Sequence, residues 1–381
     1  MFGDAFRDRE VWVTGHTGFK GSWLCGWLLS LGARVHGYAL PPPTNPALFE
    51  QLALTGRLHH EIGDVRDAGA VRRSLLAVQP DFVFHLAAQA LVLKSYQDPA
   101  ETYATNVMGT VHVLDALRDL TRPCAAVFVT TDKCYENRET GRAYREDDPL
   151  GGHDPYSSSK AAAEIAIAAY RRSFFRDHRV RIASARAGNV IGGGDWACDR
   201  IVPDCVRALA SGTPIAVRNP AATRPWQHVL EPLSGYLWLA ACLSPGRTVR
   251  PTGRRTAAAS DLATAFNFGP SDDANRTVAE LVVEFLAHWP GGRWEDRSDP
   301  QAAHEAGTLR LSIRKAHRLL GWSPVWDFRT AVAQTAAWYH QTAGWPAAAQ
   351  AQIARYAADA RAKGLTWAGA AVTRLPPSGN A

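Results

Sequence analysis

Residues 10–30 restrict the fold more than any other stretch of the chain. Glu10-Val11-Trp12-Val13-Thr14 is a short apolar, β-branched run, it enters Gly15-His16-Thr17-Gly18-Phe19-Lys20-Gly21, and apolar residues at helical spacing, Trp23, Leu24, Trp27 and Leu28, follow. Strand, G-x-x-G-x-x-G loop and helix in that order form the opening unit of a doubly wound parallel sheet. In such a unit the first glycine permits the tight turn, the second lets backbone approach a pyrophosphate, and the third lets helix and strand pack closely. The helix N-terminus then faces the anion. Glycines alone are equally well explained by a ligand-free turn. The flanking strand and helix favour a dinucleotide, with Gly15, Thr17, Gly18, Phe19, Lys20 and Gly21 as its phosphate loop.

The next segments repeat the alternation. Arg34-Val35-His36-Gly37-Tyr38-Ala39 reads as a second strand, and Leu40-Pro41-Pro42-Pro43 follows where an acid would hold a ribose diol. An arginine for a 2′-phosphate is missing too, so the sequence favours NAD weakly over NADP, and Lys20 keeps NADP open. Ile62-Gly63-Asp64-Val65 reads as a strand end, with Asp64 either accepting from an adenine amino group or capping a helix over residues 71–78. A buried strand ends in Leu86-Ala87-Ala88-Gln89, small enough for backbone to pass close to a cofactor. Residues 103–117 read as one amphipathic helix, and residues 125–129 as a strand that stops at Thr130-Thr131-Asp132-Lys133. This alternation implies an α/β fold with a doubly wound parallel sheet of Rossmann type and ligands at the carboxyl ends of its strands. Gln89 and Thr131 sit at such ends.

Tyr156 and Lys160 in Tyr156-Ser157-Ser158-Ser159-Lys160 are four apart and share one face of a helix. There the ammonium can lower the phenol's pKa and let tyrosinate take a proton from a hydroxyl, a base suited to hydride transfer. By itself the pair is better explained as a solvated lysine and a packed tyrosine. The dinucleotide unit ahead of it shifts the balance to chemistry.

From Gly188-Asn189-Val190-Ile191-Gly192-Gly193-Gly194-Asp195-Trp196 the composition changes, which marks a crossing into a smaller α/β domain. The expected division is a dinucleotide domain over residues 1–188, with 225–260 returning to it. A ligand domain takes 189–224 and 261–340, and residues 341–381 form a C-terminal helix and a tail frayed from about Gly364. Residues 248–260 read as a surface loop. Arg218-Asn219-Pro220-Ala221-Ala222-Thr223-Arg224-Pro225-Trp226-Gln227-His228 reads as a loop whose two guanidiniums either fork onto a diphosphate or are solvated.

Composition excludes several classes. The chain has 381 residues, 46% of them hydrophobic, without a run long enough to span a membrane, and Met1-Phe2-Gly3-Asp4 lacks the basic start of a signal peptide, so cytoplasm is expected. A net charge of +6 with arginines spread along the chain argues against nucleic acid. Cys25, Cys124, Cys134, Cys198, Cys205 and Cys242 are scattered and read as buried, reduced thiols, with no metal site. Thirteen tryptophans, several in loops, hint at ligand stacking, although core packing is the commoner use.

These residues resemble the extended short-chain dehydrogenase/reductase family of nucleotide-sugar enzymes. Besides the glycine loop, the resemblance is carried by Thr105-Asn106-Val107-Met108-Gly109-Thr110, Asp132-Lys133-Cys134-Tyr135, Gly151-Gly152-His153-Asp154-Pro155-Tyr156, Arg186 to Trp196 and Arg224-Pro225-Trp226-Gln227-His228-Val229. It implies NAD as cofactor, a nucleotide-sugar substrate and a homodimer or homotetramer. By the same resemblance Thr131 hydrogen-bonds the sugar's 4-hydroxyl, Tyr156 is the base for oxidation there, and Lys160 holds the nicotinamide ribose. Val65, Leu86, Ala87 and Ala88 line the cofactor, while Gln89, Asn189, Arg200, Arg218, Arg224, Gln227 and His228 face the substrate.

The pair after Thr131 separates the branches of the family. Epimerases lack an acid/base pair there, dTDP- and GDP-linked dehydratases carry Asp-Glu, and the CDP-linked ones carry Asp-Lys. Asp132-Lys133 therefore implies 4,6-dehydration of CDP-glucose, with a structural Lys133–Glu136 salt bridge as the alternative. The chemistry agrees: once carbon four is a ketone, loss of water across carbons five and six needs one base and one acid. The family more often shows a Pro and an Arg where this chain has Ala90 and Leu93.

Overall fold

The computed structural model describes residues 1–244, 261–271, 274–299 and 307–369. The surface loop expected at 248–260 lies outside them, as does the tail beyond residue 369. Among the described residues the strands are β1 Glu10–Thr14, β2 Arg34–Ala39, β3 His59–Ile62, β4 Phe82–His85, β5 Cys124–Val129, β6 Val180–Arg186, β7 Val190–Ile191, β8 Ile215–Val217, β9 Thr223–Pro225, β10 Gln227–His228, β11 Ala265–Asn267, β12 Asn275–Thr277 and β13 Trp294–Asp296. Seven of them make one sheet in the order β11-β6-β5-β4-β1-β2-β3, with every neighbouring pair parallel. The order reverses between β1 and β4, so the crevice for a ligand opens at the carboxyl ends of these two strands.

Both faces of the sheet are covered, which is why its central strands are apolar throughout. Alternate residues point to opposite sides. Val11, Val13, Phe82, Phe84, Ala125 and Val127 pack with helices Phe19–Ser30 and Leu230–Leu243. Trp12, Val83, Ala126 and Phe128 pack on the other side with helices Ala68–Val78, Gly109–Leu117 and Pro155–Ser173. A further core gathers Ile191, Val206, Ile215, Val217, Trp226, Phe285 and Val332.

Several expectations are corrected. The stretch from Arg218 to His228 is not a loop: β9 pairs antiparallel with β12, and β10 pairs parallel with β7. Among the described residues beyond Trp326 there are two α-helices where one is expected, Phe328–Tyr339 and Trp345–Ala362, because Gly344 turns at φ 73° and Pro346 sits in the first turn of the second. A helix at Arg314–Leu320 was not read from the sequence at all. The chain is not frayed at Gly364. Trp367 is fully buried, stacked on Phe2 and Tyr356 with centroids 5.2 and 5.7 Å apart, and this aromatic burial holds the segment through Ala368. Tryptophans serve the core in general, with Trp12, Trp23, Trp27, Trp238, Trp322, Trp338 and Trp367 among the largest fully buried side chains. Cys198 is exposed, whereas the other five cysteines are buried.

Candidate active site

The glycine loop behaves as its spacing predicts. Gly15 turns at φ +72°, and a Cβ there would lie 2.8 Å from the Ala87 nitrogen. At Gly21 a Cβ would come within 2.1 Å of the Gly15 carbonyl oxygen, so only glycine lets this helix lie against the turn. Gly18 differs: its Cβ would meet only the Gly15 oxygen, at 3.5 Å, so no protein packing demands glycine there. It is also the N-cap of helix Phe19–Ser30 and offers no side-chain cap. A glycine unneeded by the protein, at a helix N-terminus without a side-chain cap, fits a pyrophosphate. Thr17 Oγ1 donates to the Leu40 carbonyl at 2.9 Å and pins the loop to the end of β2. The main-chain N–H groups of Leu86 and Ala87 both donate to Thr14 Oγ1 at 3.1 Å, which carries the end of β4 close under the loop.

Two cofactor residues are placed less simply. The Asp64 carboxylate is forked by Arg66 at 2.6 and 2.8 Å, and this partner holds its pKa below the ordinary value. Val65 is buried, and its carbonyl accepts from His112 Nδ1. The His16 ring fills the space left by Gly37 within β2, and its Nε2 lies 2.7 Å from His60 Nδ1. Burial and His60 lower the His16 pKa to about 4. The bare Gly37 was the available sign that a ring packs here.

Catalytic candidates converge at the carboxyl end of β5. Thr131 caps the short turn Asp132–Cys134, its hydroxyl accepting from the Lys133 N–H at 3.3 Å and donating to Asp132 Oδ1 at 3.1 Å. Tyr156 enters from the first turn of helix Pro155–Ser173, started by Pro155 at its head and by Asp154, whose carboxylate accepts from the Ser157 N–H. The buried Tyr156 phenol comes there under the influence of Thr131, Asp132 and Arg200. Lys160 stands one turn further on and is buried.

Charge here is dominated by desolvation. Burial pushes the Tyr156 phenol up to about 12, while Thr131 and Arg200 pull it down and Asp132 raises it. Lys160 is lowered to about 8 by burial, against the attraction of Glu164. Lys20 is lowered to about 7, by burial first, then by Arg200 and Lys160, with Asp132 and Asp195 opposing. Lys20, Lys160 and Arg200 thus share one small region with the phenol, a cationic floor that the glycine loop alone does not announce. Lys133 is half-buried and makes no ion pair among the described residues, so the expected alternative with Glu136 is not formed.

The helix anticipated over residues 103–117 is interrupted at this site. Ala104–Met108 is a π turn between helices Pro99–Tyr103 and Gly109–Leu117. It aims Asn106 at the Gln89 carbonyl (3.0 Å) and at Ser159 Oγ (2.9 Å), tying the end of β4 to the tyrosine helix. π turns of this kind are frequent at functional sites.

Of the substrate candidates, Arg200 reaches the catalytic group, paired to the buried Asp195 at 2.9 Å. Asn189 is half-buried at φ 46°, with its Oδ1 unpartnered. Arg224 is buried and donates to the Thr223 and Gly307 carbonyls. Arg218 lies outward in a pair with Asp199. Gln89 spends its side chain on Leu91 and Thr102. His228 is corrected: it is fully buried between Trp23 and Trp326, centroids 6.2 and 4.9 Å away, and burial lowers it to about 3, so it is a neutral core ring. Gln227 is likewise buried, its Nε2 donating to the Gly188 and Phe268 carbonyls.

A dinucleotide-binding sheet in the order 3-2-1-4-5-6, with a threonine, a tyrosine and a lysine meeting at the end of β5, defines an extended short-chain dehydrogenase/reductase. The chain matches the description "GDP-mannose 4,6 dehydratase" over residues 12–335 and belongs to that family. It is 44% identical over 339 residues to a CDP-glucose 4,6-dehydratase of Salmonella typhimurium, covering 88% of this chain and 91% of that protein. A crystal structure of a dTDP-glucose 4,6-dehydratase from Streptomyces venezuelae with NAD bound matches with a TM-score of 0.71 at 26% identity, over 88% of this chain and 98% of that one. A UDP-glucose 4-epimerase from Thermotoga maritima shares the fold, with a TM-score of 0.70 at 19% identity over 87% of this chain and 99% of that one.

Proposed function

We propose that the protein dehydrates CDP-glucose to CDP-4-keto-6-deoxyglucose with NAD. The observation that carries this is Asp132-Lys133 directly after Thr131, beside Tyr156, in a chain closely related to a CDP-glucose 4,6-dehydratase. Tyr156, beside Thr131, takes the proton from the 4-hydroxyl. NAD, when bound, would supply the hydride acceptor for carbon four and the donor for carbon six. Between them, Asp132 and Lys133 remove the proton on carbon five and protonate the hydroxyl leaving carbon six. One water is lost and no net NADH is made.

Gly15, Thr17, Gly18, Phe19, Lys20 and Gly21 hold the pyrophosphate of NAD in this reading, and Lys160 its nicotinamide ribose. Arg200 and Arg224, with Asn189, hold the substrate diphosphate, and Arg218 lies toward the nucleotide base. We assign the core around Ile191, Ile215 and Phe285 to the substrate domain. The protein works in the cytoplasm as a homo-oligomer, through the face where Tyr103, Met108 and Ile165 expose 40%, 47% and 58% of their surface on neighbouring helices. Ile165→Glu should give monomers in light scattering.

Incubation with CDP-, dTDP-, GDP- and UDP-glucose, followed by mass spectrometry, tests the reaction. Loss of 18 mass units, the mass of one water, from CDP-glucose alone is expected. A product of unchanged mass with inverted carbon four, or steady release of NADH, overturns it.

A further inference from the structure

Helix Leu230–Leu243 is buried along its whole length, and its polar side chains must therefore find partners. Glu231 and Ser234 do: the Glu231 carboxylate accepts from the Val325 and Trp326 N–H groups and from the Tyr356 hydroxyl, and Ser234 donates to the Glu231 carbonyl. The Tyr236 hydroxyl does not, although the residue is 0% exposed. Two acceptors in the same region are also unpartnered, Oδ2 of the fully buried Asp132 and Oε1 of Gln227. Contacts bring the three residues together. The Tyr236 ring packs edge-on against Phe268, and the Phe268 carbonyl accepts from Gln227 Nε2 at 3.1 Å. The same amide donates to the Gly188 carbonyl, and Gly188 lies so close to the Asp132 carboxylate that a Cβ would sit 1.7 Å from Oδ2. Burial raises the Tyr236 phenol, and the charges of Tyr156 and Asp132 raise it further, which keeps it a donor.

One donor and two acceptors, beyond direct reach of each other, suit a single bridging water that makes about three hydrogen bonds. We propose that Tyr236 is a positioning residue for the elimination step, its hydroxyl holding the Asp132 carboxylate from behind through one water shared with Gln227. Thr131 grips Oδ1 of the same carboxylate, so both oxygens are fixed and Asp132 is aimed at the sugar. The role rests on the dehydration proposed above.

A crystal structure of the parent tests the contact without substrate: water within hydrogen-bond distance of Tyr236 Oη, Asp132 Oδ2 and Gln227 Oε1 is expected, and a Tyr236 hydroxyl bonded elsewhere overturns the proposal. Tyr236→Phe removes only the oxygen and keeps the ring on Phe268. Loss of a hydrogen bond to a charged group predicts dehydration slower by about tenfold to a hundredfold, KM within about twofold and an unchanged melting temperature. In the Asp132→Asn background the same change should slow the reaction no further, because the two act as a unit. Parent rates in Tyr236→Phe, additive losses in the double variant, or a fall in melting temperature that accounts for the slower rate each refute it. If the parent dehydrates another nucleotide sugar, the cycle is run on that substrate, so the two proposals fail separately.

Discussion

Lys133→Ala separates oxidation from elimination. The lysine's N–H to Thr131 Oγ1 is a main-chain bond that alanine keeps, and its ammonium makes no ion pair among the described residues. Asp132 retains its Thr131 partner. The substitution therefore orphans no buried group, and its cost to stability should stay within about 0.5 kcal/mol. A chain of this size then melts within about 2 °C of the parent. Its cost to catalysis is much larger. Removing a positioned acid or base slows a reaction by about a hundred- to ten-thousand-fold, or roughly 3–5 kcal/mol at 1.36 kcal/mol per decade. Tyr156, Thr131 and Lys160 are untouched, so oxidation at carbon four proceeds. With NAD-loaded variant in excess over CDP-glucose, bound NADH absorbance should rise and persist before any 6-deoxy product is detected by mass spectrometry. Tyr156→Phe, the companion, should show neither signal. Dehydration by Lys133→Ala at the parent rate would make Lys133 a surface residue and remove the feature that distinguishes this chain from an epimerase.

Gly18→Ala should fold as the parent, since its backbone lies at φ −82° and the new Cβ meets only one atom at 3.5 Å, yet bind NAD at least about tenfold more weakly. Gly21→Ala should instead fail to give a stable protein, as its Cβ would overlap the Gly15 carbonyl; calorimetry with an NAD titration distinguishes the two. Arg200→Lys keeps a charge beside Asp195 but loses the fork, so KM for the nucleotide sugar should rise about tenfold with kcat nearly constant, a loss of uniform binding; an unchanged KM takes Arg200 out of the diphosphate site. Burial pushes the Glu231 carboxyl from 4.5 up to about 7 against its three donors, so the folded chain holds a proton that the unfolded chain releases. Its stabilising contribution is complete below about pH 4.5 and is lost as pH rises through about 7. Melting temperatures should fall across that window in the parent and less so in Glu231→Gln; equal pH dependence in both would show that another group titrates.

The strand, glycine loop and helix of residues 10–30 were legible because two of the loop's glycines answer a local demand: a positive φ at Gly15, a close approach at Gly21. Parallel strands were legible for a similar reason, since Phe82–His85 and Cys124–Val129 must be apolar on both sides. The Tyr156–Lys160 face follows from helical periodicity and the Asp154 cap. What the sequence by itself determined, then, is whatever depends on neighbours within a few residues or on a fixed period. Tertiary structure decided the rest. His228 stands next to Gln227 in a motif that points to substrate, yet the packing of Trp23 against Trp326 makes it a core ring. Arg218 and Arg224 belong to one short segment, but the pairing of β9 with β12, residues about fifty apart, buries one while the other stays exposed. The π turn at Asn106 and the ties that lead from Tyr236 through Phe268 and Gln227 toward Gly188 depend on which faces the sheet and its helices present to each other. Such contacts leave no local signature, because their energy comes from desolvating groups far apart in the chain and only the folded core fixes which groups those are.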